Sequence, residues 1–268
     1  MSEFRVEQQN TKQQRQLKLR KNLTRVAIGA LLPALILAAW QILSTNGSFS
    51  ASQLPPPIEV VQAAIGLIER GTLWQHLGVS VQRVLSGFAI GSTLGIVLGS
   101  AVGLSKPIGQ LLLPTIGALR AVPSLAWVPL LLIWMGIYEE PKVTLIAIGA
   151  FFPVFTTVAA GLAAVDRNLI EVGKTYGLKG VQLVRRVLLP AASPVIFSGL
   201  RLGLAQSWLF LVAAELIASS MGLGFLLLDS QNTARTDILF MAIIMLALLG
   251  KLSDVIIATV EKRALRWI

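Results

Sequence analysis

Two stretches without a single charged residue, 26–43 and 143–165, constrain this chain more than anything else in it. Each approaches the ~20 residues an α-helix needs to cross ~30 Å of hydrocarbon. Composition points the same way. Hydrophobic residues make up 54% and charged residues 13%, whereas a soluble domain carries about 25% charged. The sequence therefore predicts an all-α integral membrane protein of about six transmembrane helices.

Net charge is +10, a balance that could suggest nucleic acid as a partner. The cations fall between and beside the apolar runs, and no aromatic-studded basic face accompanies them, so no nucleic-acid partner is expected. With no Cys there is neither a disulfide nor a thiolate metal site, and His76, the only histidine, offers too few ligands for a metal. Roughly 25 polar, basic residues precede the first apolar run, and no clear small-residue cleavage site follows it, so that run is expected to stay as a span.

The expected organisation is a cytoplasmic tail over 1–25 and a first span with external interfacial helices over 26–83. A core transmembrane region follows over 84–260, then a cytoplasmic C-terminus over 261–268. After the turn-rich "STNGSFSASQLPPP", the segments "IEVVQAAIGLIER" and "TLWQHLGVSVQRVL" are amphipathic and predict interfacial helices on the outer side, the second running into the second span. The second span, 84–104, carries Gly87, Gly91, Gly95, Gly99 and Gly103 on one stripe. That spacing predicts a close helix–helix seam, with pathway lining as the alternative. The third expected crossing contains Pro123, so a helix should stop near Ala121, break, and resume toward Gly136. Spans four to six are expected at 143–165, 194–218 and 238–260, and "SSMGLGFLLLDSQNTARTD" predicts a re-entrant or surface helix.

Six spans put both termini on one side. With the N-terminus inside, sixteen Lys and Arg fall on the cytoplasmic side. Arg70, Arg83, Lys142 and Arg235 fall outside, and Arg120, Arg201 and Lys251 lie within spans. This asymmetry predicts cytoplasmic termini and a cytoplasmic charged insert, 166–193.

That insert interrupts an apolar chain with "EVGKTYGLKGVQLVRRVLLP". Leu169, Val172 and Tyr176 share one helical face, with Gly173 and Gly177 beside them; Gly177 and Gly180 permit a sharp turn. A second helix, "VQLVRRVLLP", should lead back to the membrane and end at Pro190. An exposed apolar face flanked by glycines is a surface offered to a soluble partner.

The insert also resembles the cytoplasmic loop of ABC importer permeases, E-A-A-x3-G-x9-I-x-L-P. Glu171, Gly177, Leu189 and Pro190 match, and Val172, Gly173 and Val187 replace the two alanines and the isoleucine. Segments such as "LRAVPSLAWVPLLLIWMGI" and "ALLGKLSDVIIATVEKRALRW" extend the resemblance over about 25–267, toward the nitrate/sulfonate/taurine branch and, within it, aliphatic sulfonate permeases. The resemblance implies a type I importer permease fold with a coupling helix, in the bacterial inner membrane. It implies ATPase coupling through Glu171, Val172, Gly173, Tyr176, Gly177, Leu178, Arg185 and Pro190. It also implies a second copy of the chain, two cytoplasmic ABC ATPases, a periplasmic or lipid-anchored solute-binding protein, and surrounding membrane lipids. The chain has no G-x-x-x-x-G-K-[ST] loop, so ATP and Mg would be held by the partner ATPase. No catalytic residue and no cofactor is expected in this chain.

Ionisable and aromatic residues within the spans are candidates for the pathway: Arg120, Trp127, Arg201, Trp208 and Glu215. Arg suits sulfonate oxygens. Against that, Arg201 could snorkel or cap carbonyls, Arg120 and Glu215 could pair, and Glu215 could tether the glycine-rich turn after it. Trp127 and Trp208 could serve as packing, and Lys251 with Asp254 could pair locally. An enzyme would need clustered His, Asp or Ser beside the spans, and an ion-coupled carrier would need inverted repeats; neither pattern is present. Aliphatic sulfonate is the first expectation for cargo, with taurine, nitrate or bicarbonate as alternatives.

Overall fold

The computed structural model describes residues 28–266 apart from 48 and 51. The expected tail over 1–25 and the last two residues lie outside the described residues. The chain divides into two compact units, Met1–Ala63 and Ala64–Ile268. In the first, α1 (Ile28–Thr45) is long and apolar enough to span. The Trp40 indole N–H donates to the Pro55 carbonyl at 2.9 Å, closing the turn-rich loop back on the helix end. Helix α2 (Pro57–Glu69) begins on a proline, whose missing N–H costs nothing at a first helical position.

The second unit is a helical bundle built on α3 (Thr72–Leu104), α6 (Glu139–Ala163) and α9 (Leu189–Ala218). Helix α6 lies at the centre, with thirteen buried residues. It meets α3 along the glycine stripe. A Cβ on Gly87 would lie 2.6 Å from Ile146, one on Gly99 2.8 Å from the Phe155 carbonyl, and one on Gly103 2.8 Å from the Ala159 carbonyl; one on Gly91 would run into the Ala147 carbonyl. Missing side chains let the two backbones touch, which is how helices associate where lipid offers no hydrophobic drive. The stripe is a packing seam. Against the other side of α6, Gly203 of α9 meets Val154 and Gly161 meets Val195 of α9. Val154, Val158, Leu162, Leu188 and Ala192 form the core between them.

Five helices among the described residues are long and apolar enough to cross a membrane. The third expected crossing is instead two shorter pieces, α4 (Lys106–Ala121) and α5 (Trp127–Met135). Val122 turns extended before Pro123, and one 3₁₀ turn, Ser124–Ala126, joins them. At 1.5 Å per residue neither piece spans alone. Helix α10 (Leu223–Asn232) is ten residues long and packs on α9 and α11 (Thr236–Ala264).

The amphipathic stretch before residue 84 runs into the second span as expected: it is the first third of α3, a continuous helix of 33 residues. Other expected placements move. Arg83 and Lys142, counted as outer-loop cations, lie inside α3 and α6, at 5% and 6% exposure. Nearby carboxylates make that burial tolerable. Pro190 does not end a helix either. Helix α7 (Arg167–Thr175) is followed by α8 (Gly180–Leu183), which runs through a π-helical turn, Val184–Leu188, straight into α9. The widened turn bonds Leu189 N–H to the Val184 carbonyl, so the proline ring enters without breaking the helix.

Candidate functional site

Three regions hold the residues singled out above. The first is a cavity of about 510 Å³ between α4, α5, α6 and α9. Arg120, Thr156, Thr157 and Gln206 supply its polar groups, and Trp127, Ile148, Phe152, Leu202 and Phe210 its apolar wall. The break after α4 positions it: Pro123 stops the helix just past Arg120, and Trp127 opens the next one. Arg120 Nη1 donates to Thr156 Oγ1 at 3.4 Å, and Thr156 in turn donates to the Phe152 carbonyl at 2.8 Å. A second cavity of about 380 Å³ continues along α6, lined by Gly103, Ile116, Phe155, Ala159 and Ala163, and it shares Arg120 and Thr156 with the first.

The second region is a buried ion cluster where the start of α6 meets the end of α9. Glu215 is fully buried and Arg83 nearly so. Arg83 Nη1 donates to Glu215 Oε1 at 2.8 Å and to the Met221 carbonyl at 2.6 Å. Its Nε and Nη2 reach the two oxygens of Glu139 at 2.6 Å each. Lys142 Nζ donates to Glu139 Oε1 at 3.0 Å, and so the four charges balance. Glu215 also accepts from the Ser80 hydroxyl at 2.9 Å and from Gly224 N–H at 2.8 Å. Ser80 accepts from Leu223 N–H at 2.8 Å, and His76 Nδ1 from Gly222 N–H at 3.0 Å. Gly222 has φ +122, and a Cβ there would collide with the Glu215 carboxylate. Among the described residues no buried side-chain polar atom lacks a partner. The arrangement holds the glycine turn to α3, α6 and α9 at once.

The third region is the insert. Asp166 caps α7, accepting from Asn168 N–H at 2.9 Å. The helix stops at Gly177, φ +78, with Leu178 N–H bonded to the Gly173 carbonyl at 3.1 Å and Gly177 N–H to Lys174 at 2.9 Å. This is the six-to-one, five-to-two closure of a glycine-terminated helix. Gly173 does not face outward with Val172. It is buried, and a Cβ there would lie 2.8 Å from Leu183 and 3.1 Å from Val187. The close approach expected of a partner is therefore made by α8 and the π turn. Leu169, Val172, Tyr176 and Val181 are left exposed, Tyr176 at 83%. Glu171, Gly177 and Arg185 are exposed, and Leu178 and Pro190 are half-buried.

The cavity thus brings together two of the five pathway candidates, Arg120 and Trp127. Arg120 does not pair with Glu215, which is committed to Arg83. Arg201 Nε instead donates to Asp254 at 2.9 Å and approaches Glu261 at 3.5 Å; Lys251 reaches the same Asp254 at 3.5 Å. Trp208 Nε1 donates to Ser253 Oγ at 2.9 Å. Arg201 and Trp208 therefore tie α9 to α11. Sequence reasoning missed Ser80, Arg83, His76, Thr156 and Gln206. The i,i+3 spacing of Ser80 and Arg83 within an apolar helix was the one local hint.

Comparison with known proteins agrees with this bundle. Residues 91–266 match the family described as binding-protein-dependent transport system inner membrane component. A protein of Bacillus subtilis (strain 168), provisionally named aliphatic sulfonates transport permease protein SsuC, is 41% identical over 89% of this chain and 87% of its own. The taurine transport system permease protein TauC of Escherichia coli (strain K12) is 36% identical over 94% of each chain. A solved structure titled for inward facing conformations of the MetNI methionine ABC transporter shares the fold, with TM-score 0.56 at 20% identity. It covers 76% of this chain and 96% of the other. The class is a polytopic permease that performs no chemistry of its own. Specifically, the chain belongs to the inner membrane component family of binding-protein-dependent transport systems, which are ABC importers.

Proposed function

We propose that this permease carries a small organic anion, an aliphatic sulfonate first, inward across the membrane by alternating access driven by a separate ATPase. The carrying observation is similarity along nearly the whole chain to proteins named for sulfonate and taurine transport. Taurine, nitrate and bicarbonate are the alternative cargoes within one architecture. An ion-coupled carrier is the alternative in mechanism.

Coupling runs through the insert. Leu169, Val172 and Tyr176 present an apolar face that is exposed in the single chain, and such a face needs a groove. Glu171, Gly177, Leu178 and Arg185 rim it. Gly173 and Pro190 act from behind, fixing α7 on the helix that becomes α9, so that a push on α7 reaches the bundle as a lever. Two copies of the chain enclose the pathway. Two ATPases hold ATP and Mg and take one insert each, a solute-binding protein delivers cargo from outside, and both termini are cytoplasmic.

Reconstitution in lipid vesicles tests this. Uptake of an alkanesulfonate should require ATP, the ATPase and the binding protein; uptake driven by an ion gradient alone would sink the reading. Gly177 has open space around it but φ +78. Gly177→Asp strains the turn and adds charge beside the apolar face. Membrane insertion should persist while the ATPase fails to co-purify, and wild-type transport by this variant would remove the coupling assignment.

A further inference from the structure

We infer that the Arg120 cavity is a headgroup-selective site within the membrane, binding an alkanesulfonate by its oxygens and disfavouring an aminosulfonate such as taurine. The inference rests on the sulfonate reading above and adds to it a residue that discriminates among cargoes.

The first support is the state of Arg120 itself. Arg83, Arg201 and Arg235 each pair with a carboxylate. Among the described residues none pairs with Arg120, whose single side-chain bond is the long one to Thr156. Arg120 is exposed toward this open cavity rather than buried in the bundle, so its guanidinium is accessible to an anion's oxygens. Its planar fork matches oxygens held on one tetrahedral centre. Gln206 reaches the same cavity from α9, and its side-chain amide bonds to no other described residue. It supplies a second N–H donor for an anion oxygen.

The second support is what else lines the space. Ile148, Phe152, Leu202 and Phe210 form a wall suited to an alkyl tail, and among the described residues no Asp or Glu borders either cavity. An ammonium carried in on the tail would lose water, meet no opposite charge, and lie near Arg120. The third support is position. Arg120 and Thr156 border both cavities, so an anion moving along α6 from one to the other passes the guanidinium.

The test uses the assembled permease–ATPase complex without its binding protein, and equilibrium binding of pentanesulfonate and taurine. Pentanesulfonate should bind, and taurine at least about tenfold more weakly, the discrimination one uncompensated charge produces. No pentanesulfonate binding, or equal binding of the two, overturns the inference. Arg120→Gln should lose about tenfold in pentanesulfonate affinity, and Arg120→Lys should recover part of it. Unchanged affinity in Arg120→Gln also overturns it. Co-elution with the ATPase reports assembly of each variant; if Arg120→Gln does not assemble, the wild-type comparison of the two ligands decides. Vesicle uptake with the binding protein separates the two levels. Wild-type uptake of pentanesulfonate with equal binding of both ligands would leave the sulfonate reading standing and remove the Arg120 site, whereas no uptake would remove the reading itself.

Discussion

Two ion clusters cross-link helix α9, and they are built differently. The one near its C-terminal end joins Arg83, Glu139, Lys142 and Glu215 and is closed off from solvent at Arg83, Lys142 and Glu215. The one nearer its N-terminal end joins Arg201 to Asp254 and Glu261, and its side chains remain 21–41% exposed. Both fasten neighbouring helices. Only the first leaves a bare charge in the protein interior if a partner is lost, because only there are the charged side chains buried within the bundle. Presence of an ion pair is therefore a poor guide to its weight; burial and completeness of the hydrogen bonding decide it.

The comparison is broken most directly at Glu215. Glu215→Ala strips the buried guanidinium of one carboxylate and frees the Ser80 hydroxyl and Gly224 N–H. Removing one member of a buried pair costs about 3–5 kcal/mol. Thermal unfolding in detergent, followed by loss of the monodisperse peak, should show a large fall. Glu215→Gln, which keeps the shape and an acceptor, should fall less. If Glu215→Ala melts with the wild type, the cluster is not the anchor its geometry implies.

A second variant asks whether the cluster stands on the glycine seam below it. Gly91→Ala places a methyl against the Ala147 carbonyl, and the backbones must part. Overpacking of this kind costs about 1–3 kcal/mol. Gly117→Ala, where a Cβ meets nothing within 4 Å, is the control and should hold or gain slightly. Equal behaviour of the two would mean that α3 and α6 are less intimate than their spacing indicates.

What was legible in the chain follows the range of the physics. The glycine stripe, the break at Pro123 and the turn at Gly177 are local patterns, set by residues within a turn or two of one another, and each appears in the structure. Arg83 and Lys142 were misplaced because a charge in a hydropathy profile looks like a loop. Glu215, the partner that makes Arg83 tolerable, lies 132 residues away. The same distance problem hid Thr156 and Gln206 from Arg120 and suggested a pairing with Glu215 that does not exist. Pro190 failed for a different reason. Its rule assumes an α-helical turn before it, and the chain uses a π turn there instead.

The smallest effect belongs to the exposed cluster. Arg201→Ala removes its bonds to Asp254 and Glu261, yet both carboxylates are part-exposed on the chain rather than enclosed in the bundle, and Lys251 still reaches Asp254. Nothing buried is left unpaired, and the Trp208 to Ser253 bond still ties α9 to α11 one turn and more away. The variant should therefore melt indistinguishably from the wild type in moderate salt, where exposed pairs are screened. A loss as large as that of Glu215→Ala would overturn the ranking. It would mean that the Arg201 end of α9 is sheltered in the membrane or by a neighbouring copy, and that the exposure of the single chain understates its burial in the assembled transporter.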